Sequence, residues 1–250
     1  MMTLIGSVIL SAGLHGPGLS IGLPEASPQS KIPRIEEPAS DHEYPAYIRS
    51  TLSKKEAAGP KPRNKVLDLL GLGIREKTIF NVNVYSYVLY VDRAFVKKEF
   101  AKYKGKKLSK VEKDAELFKT LLTQNTTKEL RIRFCRKVDA EDVVSAFEDS
   151  LKPRILAAKA KMKGTEKEKL KSLEAFRAFF DLDKLKSGNE LRFTWHPDGT
   201  LTTIVTGERK PDVEDKHLAQ ALFDVYLGDD PISKSGKKNL VKRLPELVAK

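Results

Sequence analysis

GLGIREKTIFNVNVYSYVLYVD, residues 71–92, is the stretch on which the fold turns. From Val82 onward it alternates. Val82, Val84, Ser86, Val88 and Tyr90 share one face of an extended strand, and Asn83, Tyr85, Tyr87, Leu89 and Val91 share the other. Both faces are substantially apolar, which predicts a strand covered on both sides. The GLG at 71–73 does not open a dinucleotide site. Such a site needs a small residue at position 76, where Glu76 stands, and a helix afterwards, where a strand follows. A tight entry into a sheet is the remaining reading. Arg75 lies ten residues before Tyr85, a spacing that suits a neighbouring antiparallel strand reached through the Asn81 region. An arginine drawn toward such an interior is costly unless an anion meets it. Its planar fork suits a carboxylate from outside the chain, with the Tyr85 hydroxyl adding a third hydrogen bond. A salt bridge to Glu76 or another acidic residue would satisfy it equally, and both readings stay open at this point.

Working outward, strand-like alternation recurs at 73–80, 81–92, 129–136, 190–196 and 200–206. HPDGT at 196–200 supplies turn chemistry between the last two, a hairpin. Helical periodicity marks 93–104, 111–123, 140–160, 165–180, 213–227 and 237–248, and Asp139 with Asp142 heads the third as a capped start. Strands and helices do not alternate regularly, so an α+β arrangement is expected, an antiparallel sheet with helices over one face. Eight of the thirteen prolines and six of the fifteen glycines precede residue 65. That composition predicts a disordered or extended segment over 1–64, perceived at its start as the remnant of a targeting peptide, and a domain over 65–250 beginning near Asn64. EYPAYI at 43–48 could dock on that domain as an extended edge. The run KAKMKGTEKEKLKS at 159–172 reads as a charged surface helix or inter-helix loop.

Composition excludes several chemistries. Cys135 is the only cysteine among 250 residues, so neither an internal disulfide nor a cysteine-based zinc site is available. The four histidines, His15, His42, His196 and His217, are scattered without an i, i+4 pair, which argues against a metal site; no cofactor is expected. No apolar run reaches the roughly 18 residues of a membrane span. TLIGSVILSAGL at 3–14 is apolar but short and lacks the basic flank of a secretory signal. The strand carrying Arg131, Arg133 and Cys135 on one face and Leu130, Ile132 and Phe134 on the other makes Cys135 a packed thiol, since no histidine is near in sequence and no GxSxG elbow occurs. Glu141 and Asp142 are explained by their position at a helix start. The formal charge of +12 and the basic clusters at 97–110, 159–171 and 234–243 suggest an anionic partner or surface. Aromatics track the apolar periodicity and no reading helix stands out, so nucleic acid is not expected, and weak attraction to an anionic membrane surface is the better match.

Three segments resemble the chalcone isomerase family. They are residues 71–92, its opening strands; LRIRFCRKVDAEDVVSAFEDSLKPRI at 130–155, its central strand and long helix; and LAQALFDVYLGDDPISKSGKKNLVKRLPEL at 218–247, its C-terminal helical pair. The resemblance implies an open-faced β-sandwich, a large antiparallel sheet covered by helices, with a ligand cleft between the layers. The family has catalytic members that cyclise chalcones to flavanones, and non-catalytic members that bind fatty acids in plastids or assist flavonoid synthesis.

On this resemblance Arg75 matches the arginine that polarises substrate in the enzymes and holds a carboxylate in the fatty-acid binders. Tyr85 stands where the enzymes have threonine and the binders tyrosine. Ala146 and Val225 fall where the enzymes bring an asparagine and a Thr or Ser, and Val225 with Tyr226 looks like the binding branch. Cyclisation needs an oriented nucleophile and hydrogen bonds to a developing enolate, whereas Ala146 and Val225 offer an apolar wall. Such a wall suits an acyl chain, at about 0.8 kcal/mol per buried methylene. The expected ligand is therefore a fatty acid or similar amphiphile, its carboxylate on Arg75 and Tyr85, its tail against Tyr87, Ala146, Phe147, Val225 and Tyr226. Non-catalytic binding by a monomer in the plastid stroma is expected. The alternatives are a true chalcone isomerase or a helper of flavonoid synthesis, and a cytoplasmic location.

Overall fold

The two halves of the 71–92 stretch pair with each other. A computed structural model describes residues 32–77 and 82–250. In it the long strands β4 (Val66–Lys77) and β5 (Val82–Asp92) run antiparallel, with Arg75 opposite Tyr85 and Gly73 opposite Tyr87. The shorter strands before them are β1 (Arg34–Glu37), β2 (His42–Pro45) and β3 (Tyr47–Arg49). After them come β6 (Lys128–Phe134), β7 (Val138–Asp139), β8 (Lys184–Leu185), β9 (Glu190–Trp195), β10 (Thr200–Val205), β11 (Glu208–Arg209) and β12 (Val213–Glu214). The main sheet is ordered β11-β10-β9-β6-β5-β4-β3, with β12 also against β10, and every pairing is antiparallel. The hairpin expected at HPDGT joins β9 to β10, and Gly199 takes a φ of 88° there, a conformation open to glycine at no steric cost.

The helices are α1 (Lys54–Ala57), α2 (Arg93–Glu99), α3 (Leu108–Val111), α4 (Ala115–Thr123), α5 (Ala140–Ala158), α6 (Glu166–Arg177), α7 (Lys216–Leu227), α8 (Lys234–Asn239) and α9 (Leu244–Leu247). The larger core joins one face of the sheet to the helices: Tyr87, Leu89 and Val91 of β5 with Leu130 and Ile132 of β6, Phe147 and Leu151 of α5, and Leu222 and Val225 of α7. On the opposite face Val88 and Tyr90 meet Leu67, Leu69, Tyr44 and Ile48 in a smaller cluster. Both faces of β5 are thus covered, as its alternation predicts, and the α+β class with helices over an antiparallel sheet is the observed one.

Three expectations need correction. Residues 32–64 are not a tail apart from the domain: the compact unit runs Ile32–Lys250, β3 extends the sheet on β4, and the Tyr44 hydroxyl lies 2.7 Å from that of Ser86. Pro33, Pro38 and Pro45 sit at the ends of the short β1–β2 pairing, where a missing N–H is tolerated. Residues 1–31 and 78–81 lie outside the described residues. The helix predicted over 111–123 is two, because the Asp114 side chain accepts from the Glu116 N–H and starts α4 afresh. That predicted over 237–248 is also two, with Pro245 in the first turn of α9. Asp139 does stand at the N-cap of α5, but without a capping hydrogen bond.

The GLG motif has a packing role. A Cβ on Gly71 would lie 2.1 Å from the Asn239 carbonyl oxygen and 2.7 Å from the Leu240 Cα, so the sheet and the end of α8 meet backbone to backbone. A Cβ on Gly73 would lie 2.8 Å from the Tyr87 ring, which covers this glycine from the next strand. On the far side of that ring, a Cβ on Gly236 of α8 would lie 1.7 Å from the Tyr87 hydroxyl oxygen. Gly236→Ala is therefore expected to destabilise the fold by about 1–3 kcal/mol, the usual cost of overpacking. Adding Tyr87→Phe should recover part of that loss. Urea unfolding of the two single variants and the double variant checks this, and strictly additive losses would refute the contact.

Candidate functional site

At the strand ends carrying Arg75 and Tyr85 the sheet and helices part around a cleft of about 570 Å³. Its floor is apolar: Val84 from β5, Ile132 and Phe134 from β6, Leu191 from β9. Phe147 of α5, Val225 and Tyr226 of α7, and Ile232 form the wall. The rim is charged, with Glu76, Arg136, Lys137, Asp139, Asp142 and Asp149. Tyr85, Ile132, Phe134 and Leu191 follow from strand alternation, whereas Val84, on the other face by that alternation, is left without a β4 partner at the register shift between Arg75 and Glu76. Ile132 and Phe134 point from β6 toward the helices, while Arg131 and Arg133 point the opposite way and pair with Glu129 and Glu190.

Arg75 is half-buried in this lining. Its Nη1 donates to the Ile232 carbonyl oxygen at 3.3 Å, a long bond. Glu76 lines the cleft too, yet among the described residues no carboxylate comes within 4.0 Å of the Arg75 guanidinium. The internal salt bridge left open by the sequence is thus not formed with any described residue. Next to the arginine, the hydroxyls of Tyr85 and Tyr226 lie 3.3 Å apart. Burial pushes both phenols above their ordinary pKa; for Tyr85 the Tyr226 hydrogen bond and the Arg75 charge pull back, and for Tyr226 the neighbouring Tyr85 adds to the rise. Both are hydrogen-bond donors at neutral pH, not bases. The arrangement offers a fixed positive charge and two O–H donors at one end of an apolar hollow.

Six of the seven residues named from the sequence line this one cleft: Arg75, Tyr85, Ala146, Phe147, Val225 and Tyr226. Tyr87 does not. Its ring is held between Gly73 and Gly236, with its centroid 4.9 Å from that of Tyr226, so it supports the wall from behind. Strand alternation correctly put Tyr85 and Tyr87 on one face, but α8 covers the second. Ala146 sits exposed on the rim, not within an apolar wall. Sequence reasoning missed Ile232, whose contribution is a backbone carbonyl with no residue-type signature, and Leu191, which arrives from a distant strand. Among the described residues no cluster of His, Cys, Asp and Glu could hold a metal ion.

The profile of the family described as chalcone isomerase-like matches residues 59–241, and the chain belongs to this family. Its sequence is 24% identical over 186 residues to fatty-acid-binding protein 1 of Arabidopsis thaliana, covering 72% of this chain and 64% of that protein. It is 25% identical over 218 residues to fatty-acid-binding protein 2 of the same plant, covering 85% of this chain and 51% of that one. A chalcone–flavanone isomerase of Zea mays is 24% identical over 168 residues, 65% of this chain and 71% of the maize protein. The chain thus spans between half and two-thirds of the two fatty-acid-binding relatives. Among solved structures, that of the Arabidopsis thaliana fatty-acid binding protein AtFAP1 superposes with a TM-score of 0.65 at 22% identity, over 87% of this chain and all of that one. The fold is shared.

The buried phenols set an alkaline limit. Unfolded tyrosines ionise near a pH of about 10, whereas Tyr85 and Tyr226 do so only above it when folded. The unfolded state therefore releases protons first, and stability falls as pH rises past that value. Spectrophotometric titration should show phenolate from these residues appearing at higher pH than from free tyrosine, with resistance to urea falling over the same range. Ionisation of every tyrosine in the range of free tyrosine, in a molecule that stays folded, would contradict the burial.

Proposed function

We propose that the cleft binds a fatty acid or a similar amphiphilic carboxylate without transforming it. One observation carries this reading: a half-buried guanidinium, with no described carboxylate within 4.0 Å, stands beside two tyrosine hydroxyls at one end of an apolar hollow. Arg75 would take the carboxylate through its fork, and Tyr85 and Tyr226 would donate to it. The apolar wall of Ile132, Phe134, Phe147, Leu191 and Val225 would take the tail. The names of the fatty-acid-binding relatives support the same ligand class.

Catalysis is the second reading, favoured by the likeness to a maize isomerase. The groups beside Arg75 speak against it, because two phenols whose pKa values burial raises are poor general bases at neutral pH, and Ala146 and Val225 bring no polar side chain to orient the attacking hydroxyl. A third reading, a non-catalytic helper of flavonoid synthesis, would use the same cleft and is separated by pull-down with the enzymes of that pathway. On the leading reading the protein acts as a monomer in the plastid stroma, with the cytoplasm as the alternative. Imaging of a fluorescent fusion decides the compartment.

Eight lysines, at 97, 98, 102, 104, 106, 107, 110 and 113, are exposed along α2, α3 and the turns on either side of α3. An anionic bilayer attracts such residues by about 1 kcal/mol each near the surface, which would concentrate a carrier where its amphiphiles reside. The protein should accordingly sediment with vesicles of phosphatidylcholine and phosphatidylglycerol at low salt and be released by added salt. Equal partition onto purely zwitterionic vesicles would remove the electrostatic account.

Native mass spectrometry of the purified full chain should detect a retained acyl chain. Arg75→Ala loses a charge-assisted interaction of about 1.5–3 kcal/mol, so affinity for a saturated fatty acid should drop roughly tenfold to a hundredfold. Unchanged affinity in that variant would dismiss the anchoring role. Chalcone absorbance should decay no faster with the protein than without it; a faster decay would establish the enzyme reading.

A further inference from the structure

Assuming the fatty-acid reading above, we propose that Phe147 sets the length of acyl chain the cleft accepts. The aromatic residues behind the cleft are arranged as a stop. Phe147 alone of four packed phenylalanines lines the hollow; its ring centroid is 5.6 Å from that of Phe176, 5.6 Å from Phe180 and 5.8 Å from Phe193. Phe176 and Phe193 are fully buried and Phe180 nearly so. The rings also contact one another, Phe176 with Phe180 at 5.3 Å and with Phe193 at 5.8 Å. A tail pushing past Phe147 would have to displace a ring supported on three sides, in an interior packed to crystal-like density. Such clusters resist small increments in volume.

Strand register gives the backbone span from the anchoring strand to Leu191, two residues short of Phe193 in the stop. Arg75 stands opposite Tyr85, Tyr85 opposite Phe134, Tyr87 opposite Ile132, and Ile132 opposite Leu191. From Arg75 on β4 to Leu191 on β9 is three strand spacings of about 4.8 Å across and one two-residue step of about 6.8 Å along, roughly 16 Å on the diagonal. Two residues beyond Leu191 on the same face of β9 lies Phe193, part of the stop. Carbon–carbon bonds of about 1.5 Å in an extended zigzag advance roughly 1.25 Å per carbon, so the run holds about twelve to fourteen carbons. Longer tails must fold back toward the charged rim of Arg136, Lys137, Asp139 and Asp142 and leave methylenes in water.

The test is a binding series on the full chain, by titration calorimetry, with saturated fatty acids from decanoic to octadecanoic acid. In the unsubstituted protein, affinity should rise with length to an optimum at about twelve to fourteen carbons and gain nothing further by octadecanoic acid, since the last roughly four methylenes stay in water. Phe147→Ala opens the stop and should move the optimum to longer acids; Phe147→Trp fills the end of the hollow and should move it to shorter ones. Opposite shifts distinguish a gate from general loss of stability, which would weaken all lengths alike. Affinity that still climbs through octadecanoic acid in the unsubstituted protein overturns the proposal. So does an optimum that stays in place, or moves in one direction only, in the two variants. If no acid of the series binds, the fatty-acid reading itself is overturned and this inference with it; if acids bind with no dependence on residue 147, only the gate is lost.

Discussion

A positive charge lodged at the edge of an apolar hollow is the constraint on which this molecule's chemistry depends. Withdrawing a guanidinium from water costs several kcal/mol unless something replaces the lost hydration. Arg75 recovers part of that cost from the Ile232 carbonyl and part from the solvent that still reaches its half-exposed side chain. Other arginines on or beside the sheet are treated differently: Arg131 and Arg133 of β6 pair with Glu129 and Glu190, and Arg93, at the start of α2, grips Asp68 of β4 through two nitrogens. Arg75 alone among these faces the cleft, and among the described residues it is met by neutral groups.

The position of that carbonyl is itself built from the sequence around the glycines. Gly71 and Gly236 let α8 settle against β4 and the Tyr87 ring, and Arg243 ties the next turn to β4 by donating to the carbonyls of Leu69 and Leu70 from Nη1 and the backbone N–H. Between α7 and α8 the chain folds back, with the Ile232 N–H donating to the Val225 carbonyl at 2.8 Å. From α5, Arg154 clamps this turn by donating to the Asp224 carboxylate and the Asp230 carbonyl. The wall that holds Val225 and Tyr226 is therefore fixed to both the sheet and α5 before any ligand arrives. Preorganisation of this kind lowers the ordering cost of binding.

The central strands, the 196–200 hairpin and the approach of Arg75 to Tyr85 were legible because each is a matter of short-range periodicity or turn chemistry. The segment 32–64 was legible only in part: EYPAYI at 43–48 reads as an edge that docks on the domain, and β3 does pair with β4, but the rest reads as a tail. Its five prolines are the composition of a tail, while its contribution to the fold rests on a few residues, such as Tyr44 and Ile48, whose partners Leu67, Val88 and Tyr90 lie elsewhere in the sequence. Helix ends were lost where one residue, Asp114 or Pro245, interrupts an otherwise continuous apolar pattern. Within the cleft, Tyr87 and Ala146 mark the limit of the same logic. Alternation tells which face a residue occupies, but only tertiary packing tells that α8 covers one tyrosine and that the start of α5 leaves its alanine at the rim.

Whether such a site binds or catalyses depends on what its donors do before a ligand enters. The Tyr85–Tyr226 and Arg75–Ile232 bonds are both 3.3 Å, long for their types. An incoming carboxylate can exchange them for shorter charge-assisted bonds without moving the backbone. Its charge is fully present on arrival, so these interactions are already at full strength in the bound ground state. A catalyst gains only from interactions that strengthen as the reaction proceeds. On the proposed reading, donors that meet a preformed anion above a floor that includes Ile132 and Phe134 would stabilise the complex itself, which is the property a carrier requires.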